Sequence, residues 1–232
     1  GVCIHTRDGQ EHVWKKRAGD AKLLEFLYKN GHHTPFEMCE LAIEVQAPIF
    51  VFREWMRHRT QSFNEFSARY AQMPNLHYLP EPGRIQRQST ANKQGSAEEY
   101  LPETAKNIIG VLRSEQDGIY ENYDVFVKDG LAKEVARINT PVSRYSKMRA
   151  KTDLRNWLGF LRLRMAPNAQ FEIREYANAV AEIIKTLWPR VYELFEEFDL
   201  YAVKFSRAEM KRLREILAAS ASPLLSDPVV KK

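Results

Sequence analysis

Glu40-Leu41-Ala42-Ile43-Glu44-Val45-Gln46 alternates in polarity, Ala47-Pro48-Ile49-Phe50-Val51-Phe52-Arg53-Glu54-Trp55-Met56 is mostly apolar, and Arg57-His58-Arg59-Thr60-Gln61-Ser62-Phe63-Asn64-Glu65-Phe66-Ser67-Ala68-Arg69-Tyr70 turns polar. Leu41, Ile43 and Val45 against Glu40, Glu44 and Gln46 give a period of two, which predicts a half-buried strand. Pro48 suits the first turn of a helix, where its missing N–H leaves nothing unpaired. Phe50, Val51, Trp55 and Met56 predict that this helix is buried. The run from Arg57 then begins where a buried helix ends, and is expected to continue as a loop. Its arginines, amides, hydroxyls and acid are too many directional groups for a packed core. Planar guanidinium forks match phosphate and carboxylate oxygens, so the run predicts a small, polyanionic, hydrogen-bonding ligand.

Upstream, Ala21 to Asn30 carries an apolar stripe of Leu23, Leu24, Leu27 and Tyr28, with Gly31 as a helix stop. Downstream, 75–95 is rich in Pro, Gly, Asn and Gln and reads as a long loop. Ala97 to Lys128 predicts one or two helices, and Leu131 to Asn139 a short helix ending before Pro141. Ser143 to Thr152 is expected to be a strand, and Asp153 to Met165 a helix with Leu154, Trp157, Leu158, Leu161 and Met165 inward. Ala169 to Phe198 has the strongest helical period, with Pro189 as a kink. Ser206 caps a charged terminal helix reaching Ala219, and 206–232 reads as that helix and a tail. No repeat or domain boundary is visible, so 1–232 is expected to form a single domain.

With 232 residues, 44% hydrophobic and 28% charged, the composition is that of a globular protein able to bury a substantial core. The net charge of +5 favours anionic ligands without requiring nucleic acid. Cys3 and Cys39 form neither a disulfide framework nor a zinc spacing, which points to the cytoplasm and to no metal. No apolar run approaches the roughly 18 residues of a membrane span, so no membrane partner is expected. Gly1-Val2-Cys3-Ile4 reads like the inside of a fold, as if an N-terminal piece preceded it.

Three further segments carry polar chemistry. Gly31-His32-His33-Thr34-Pro35-Phe36-Glu37 has two histidines but no third ligand at metal spacing; a turn before the strand explains it, and a cofactor contact from His32 and Thr34 stays open. Glu134-Val135-Ala136-Arg137 with Arg144, Tyr145 and Arg149, and Asp153-Leu154-Arg155-Asn156 with Arg162, Arg164, Asn168, Gln170 and Glu172, each resemble ordinary charged helix faces when taken alone. One of Arg162 and Arg164 is expected to be partly buried, and so to need partners. Nucleophile elbow, glycine-rich phosphate loop and dinucleotide fingerprint are all missing.

Arg57-His58-Arg59, seven residues, then Ser67 resembles the signature of the flavin-dependent thymidylate synthases. Gln61, Ser62, Asn64, Glu65, Arg69 and Tyr70 match it too, as do His32, Thr34-Pro35-Phe36-Glu37, Ala47-Pro48-Ile49-Phe50, Glu134-Val135-Ala136-Arg137, Arg155, Leu163-Arg164 and Ala169-Gln170-Phe171-Glu172-Ile173. The likeness covers about residues 1 to 200 in order. It implies an α+β fold, mixed helices packed on a small antiparallel sheet, assembled as a homotetramer with shared active sites. It also implies FAD, with NADPH as reductant, methylenetetrahydrofolate as carbon donor and dUMP as acceptor. Matched by position, His32, Thr34, Arg57, His58, Arg59, Asn64, Asp153, Arg155 and Asn168 would contact the flavin. Glu54, Glu65, Ser67, Ala68, Arg69, Arg137 and Arg164 would hold the nucleotide. The resemblance implies Arg164 and Ser67 as the catalytic set: Arg164 would stabilise charge on the pyrimidine, and Ser67 would position it without acting as a nucleophile.

Four positions depart from the family pattern: Asp153 stands for Asn, Asn168 for His, Met38 for His and Glu54 for Gln. The family's first strand and helix would lie before Gly1. Two alternatives remain, a relative that methylates UMP and, from another class, a basic RNA-binding module.

Overall fold

A computed structural model of the chain describes residues 3–5, 11–13, 19–91 and 95–219. The chain gathers into two compact units, Gly1–Tyr192 and Glu193–Lys232. In the first unit, strands β1 (Cys3–His5) and β2 (Glu11–Val13) pair antiparallel. Helix α1 (Asp20–Lys29) follows. Its stripe is only half-covered: Leu24, Leu27 and Tyr28 are partly buried, and Leu23 is exposed. Gly31, at φ 72°, ends it in the left-handed conformation that a residue without Cβ tolerates.

A short turn of helix, α2 (Thr34–Glu37), leads to strand β3 (Glu40–Pro48) and helix α3 (Ile49–Trp55). Pro48 lies at the strand end with ψ 143°, just outside the helix where it is expected from the sequence. Met56 leaves the helix, and Val51, Phe52 and Trp55 bury its inner face. The expected loop after Arg57 is instead a turn followed by strand β4 (Ser62–Glu65). Strands β5 (Gln86–Gln88) and β6 (Ser96–Glu99) form a hairpin inside and just beyond the expected long loop. Both departures have one cause. These strands are held by backbone pairing while their side chains are mostly exposed, so no alternating hydrophobic pattern marks them.

Residues 102–128 form one unbroken helix, α4 (Pro102–Lys128), with Pro102 in its first turn. After α5 (Lys133–Ala136) and a tight turn over Arg137–Asn139 comes strand β7 (Tyr145–Asp153). It is the central strand of the sheet β3-β7-β4, antiparallel to both neighbours. Ser146, Met148, Ala150 and Thr152 are buried, and Lys147, Arg149 and Lys151 point outward. Helices α6 (Leu154–Arg164) and α7 (Phe171–Leu187) pack against one another. The kink expected at Pro189 is a break: Trp188 leaves helical geometry before the proline, and α8 (Pro189–Phe195) starts anew. In the second unit, α9 (Arg207–Ala219) opens on a reciprocal cap. The Glu209 amide donates to Ser206 Oγ at 3.3 Å, and the Ser206 amide to Glu209 Oε2 at 2.7 Å.

Two clusters hold the site elements in place. Trp55, Trp157 and Phe160 are fully buried together, with Trp55 stacked 4.7 Å from Phe160. The two indole N–H groups are satisfied by Gln61 Oε1 and the Leu41 carbonyl, each at 3.0 Å. Trp55→Ala is expected to destabilise by about 3–5 kcal/mol. The second cluster joins Ala68 and Met73, at the end of the polar run, to Tyr123 of α4 and Ala136 of α5. Arg144 is also fully buried, 4.6 Å from the Tyr120 ring, and donates to the Pro74 carbonyl at 3.2 Å. The run is thereby tied at both ends to rigid elements. Among the described residues, no helix is long and apolar enough to cross a membrane.

Candidate active site

Glu54, in the last turn of α3, and His58, four residues on, both reach Arg164 at the end of α6. Arg164 Nε donates to His58 Nε2 at 2.9 Å, Nη1 to Glu54 Oε2 at 3.0 Å and Nη2 to the Glu54 carbonyl at 2.7 Å. Of the two arginines expected to compete for burial, Arg164 is the part-buried one and Arg162 is exposed. The His58 ring lies edge-on to Phe160 at 4.9 Å. Burial, then the neighbouring Arg164 charge, lowers its pKa to about 4 against an opposing pull from Glu54. His58 is therefore neutral near pH 7. Its Nε2 accepts from Arg164, which assigns the ring proton to Nδ1. Arg57 and Arg59, on the same turn, are exposed and have no side-chain partner among the described residues.

At the end of β4, Glu65 lines a cleft of about 470 Å³ with Ala68, Arg137, Arg53, Glu134 and Tyr145. Arg53 is not among the candidates the sequence offers. It stands one helical turn before Arg57, and that i, i+4 spacing is the available signal. Glu134 also lines a neighbouring hollow of about 450 Å³ with Arg69, Tyr70 and Lys133. There Arg69 grips one carboxylate oxygen, with Nε at 2.9 Å and Nη2 at 2.7 Å from Glu134 Oε2. Lys133 Nζ donates to the Tyr70 carbonyl at 3.2 Å. Ser67 Oγ accepts a long bond from the Arg69 amide, 3.4 Å, which shapes the turn. Glu54 and Arg164 line neither hollow.

The remaining candidates are spread out. Thr34 opens α2, and exposed His32 stacks on Phe26 at 5.9 Å. Arg155 Nη1 meets Glu37 Oε1 at 2.5 Å and so ties α6 to α2. Asp153 caps α6: one oxygen accepts from the Asn156 amide at 2.9 Å, and the other from its side-chain amide at 2.6 Å. Asn64 is exposed on β4 opposite Arg149. Asn168 lies apart, in a cleft of about 490 Å³ beside the β5–β6 hairpin with Arg84, Phe171 and Arg174. One wall of that cleft is braced by buried Glu172, which accepts from Tyr78 Oη and Arg84 Nε, both at 2.9 Å. Burial pushes the Glu172 pKa up, but the bonds from Arg84, its own backbone and Tyr78 prevail and hold it below the ordinary value.

Residues 2–190 match the family model described as thymidylate synthase complementing protein. The chain is 42% identical over 203 residues to a flavin-dependent thymidylate synthase of Wolbachia pipientis wMel, covering 88% of this chain and 72% of the relative. It is 39% identical over 224 residues to one from Ruegeria pomeroyi, covering 95% and 74%. Among solved structures, the UMP/dUMP methylase PolB of Streptomyces cacaoi bound with 5-Br UMP superposes with a TM-score of 0.74 at 29% identity, covering 82% of this chain and 87% of the other. The same methylase bound with 5-Br dUMP gives 0.72 at 28% identity, covering 84% and 86%.

Proposed function

The chain belongs to the flavin-dependent thymidylate synthase family of methyltransferases, and we propose that it builds the C5 methyl group of dTMP on dUMP, with methylenetetrahydrofolate as carbon donor, NADPH as reductant and FAD as cofactor. Membership of an enzyme family displaces the RNA-binding alternative. The observation that carries the reading within the fold is the cleft where Glu65, Ala68, Arg137 and Arg53 converge beside the hollow of Arg69. Its guanidinium forks suit a nucleotide phosphate. Ser67 shapes the phosphate turn, and Arg164 stabilises charge developing on the pyrimidine.

The flavin-side residues fit a diphosphate-bearing cofactor in part. Arg57 and Arg59 offer exposed guanidinium groups. Neutral His58 offers an N–H at Nδ1, and Thr34 a hydroxyl. His32, Asn64, Arg155 and Asn168 complete the proposed contacts, while Asp153 supports the site through the α6 cap. When bound, the flavin supplies a hydride chemistry that no side chain offers. Cys39 lines none of these clefts, in keeping with a mechanism without a thiol nucleophile. Glu65, Ala68 and Arg137, then Arg69, then Asn168 line three separate hollows of one chain, which suits a homotetramer whose sites are completed by a neighbouring copy. Cysteine usage suits the cytoplasm.

Tritium release from 5-labelled dUMP, dependent on the folate donor and NADPH, tests the reading, together with a flavin absorbance bleached by NADPH. A preparation that stays colourless with added FAD and releases no tritium overturns it. UMP is the second reading, favoured by the likeness to a methylase bound with a UMP analogue. The two acceptors differ by one 2′-hydroxyl, and a site that hydrogen-bonds it would discriminate strongly. Competing labelled UMP against dUMP decides between them.

A further inference from the structure

Glu54 directs both its carboxylate and its main-chain carbonyl to the single guanidinium of Arg164. With the bond to His58, three of the five N–H donors of Arg164 are occupied, and among the described residues two have no partner and can serve a ligand. Glu54 commits one carboxylate oxygen to Arg164, and turning that negative charge toward an anionic nucleotide would be unfavourable. We propose that Glu54 is a positioning residue, which together with His58 holds the Arg164 guanidinium in one orientation and leaves its two free N–H groups for the pyrimidine. The inference rests on the reading of Arg164 as the charge-stabilising group.

The physics favours a held arginine. A free side chain of this length samples many rotamers, and each must be given up before it can meet developing charge. A guanidinium fixed beforehand needs no reorganisation at the moment of reaction. Here the fixing is built from two directions. Glu54 lies on α3, whose inner face is anchored by Trp55, and Arg164 lies on α6, anchored by Trp157, Phe160 and Leu161. The His58 ring is in turn held edge-on by Phe160. The bond from Arg164 Nε also sets the His58 tautomer, so its Nδ1–H is presented as a donor.

Steady-state kinetics of the holoenzyme test the proposal. Glu54→Leu should lower kcat about 100-fold while the nucleotide KM changes only a few-fold. Glu54→Gln, whose amide oxygen still accepts from Nη1, should recover at least about a tenth of the wild-type kcat. A Glu54→Leu enzyme with intact kcat and a raised KM would overturn the proposal and make Glu54 a nucleotide contact. A second measurement needs neither turnover nor a variant that folds. The ¹⁵N spectrum of histidine-labelled wild-type protein at pH 6 should show His58 neutral with its proton on Nδ1. A protonated ring, or the Nε2–H tautomer, overturns the proposed clamp. If the wild type methylates neither dUMP nor UMP, the functional reading fails, while the tautomer still reports on the clamp.

Discussion

Arg164 and Arg69 each meet a glutamate at close range, 3.0 Å from Glu54 and 2.7 Å from Glu134, yet the two arginines sit in different surroundings. The Arg164 side chain is 17% exposed and also bonds His58, although its partner Glu54 is 41% exposed, whereas Arg69 and Glu134 are 57% and 50% exposed. Near-equal distances therefore mean different things. The exposed pair is screened by water and contributes roughly 0–1 kcal/mol, so an arriving phosphate can exchange with Glu134 at little cost. The sheltered Arg164 is the hub of a three-residue arrangement with Glu54 and His58, and removing it leaves both without that partner. A nucleotide site needs both behaviours: an arginine that yields to the ligand, and one that does not move.

Arg164→Ala should have the largest effect. We expect turnover to fall about 100- to 1,000-fold and stability by about 1–2 kcal/mol, because Glu54 and His58 lose their partner. A thermal melt and kcat measured on one preparation check both. Arg69→Ala should weaken nucleotide binding about 10- to 100-fold through a lost charge-assisted contact, with stability changed by less than about 1 kcal/mol; calorimetric titration with dUMP and UMP decides this. Equal losses of stability in the two variants would erase the contrast.

His58 sharpens the comparison through pH. Its folded pKa is lowered to about 4 from 6.5. Above pH 6.5 the ring is neutral in both states. As pH falls from about 6.5 toward about 4, the unfolded chain takes up the proton first, so stability declines across that window. His58→Gln should flatten this part of the melting-temperature profile. The smallest effect is expected from Glu134→Gln. Stability should stay within about 1 kcal/mol, and nucleotide affinity should rise a few-fold because Arg69 is released. Weaker binding in that variant would mean that Glu134 assists the ligand instead of standing in its place.

The alternation over 40–46, the strand-like stretch 143–152 and the apolar positions of 153–165 make β3, β7 and α6 legible in the amino-acid order, because burial on one face leaves a period in the residues. β4 and the β5–β6 hairpin leave no such trace: Ser62, Asn64, Gln86 and Gln88 join strands through their backbones. Asp153 is legible as a departure from the family pattern, but its use as the α6 cap depends on the turn it occupies. Arg53 is hidden inside an apolar helix, where only its spacing from Arg57 marks it.

By itself the sequence determined which residues carry charge, which segments alternate, and which family the Arg57-to-Arg69 run belongs to, since these are local properties of order and composition. Only the tertiary structure decided which arginine is sheltered and which glutamate holds it. Arg164 and Glu54 are 110 residues apart, and Arg69 and Glu134 are 65 apart. No local rule connects such distances; the packing of α3 against α6, and of the Ala68–Met73 segment against α4 and α5, brings each pair together and sets how much water reaches it.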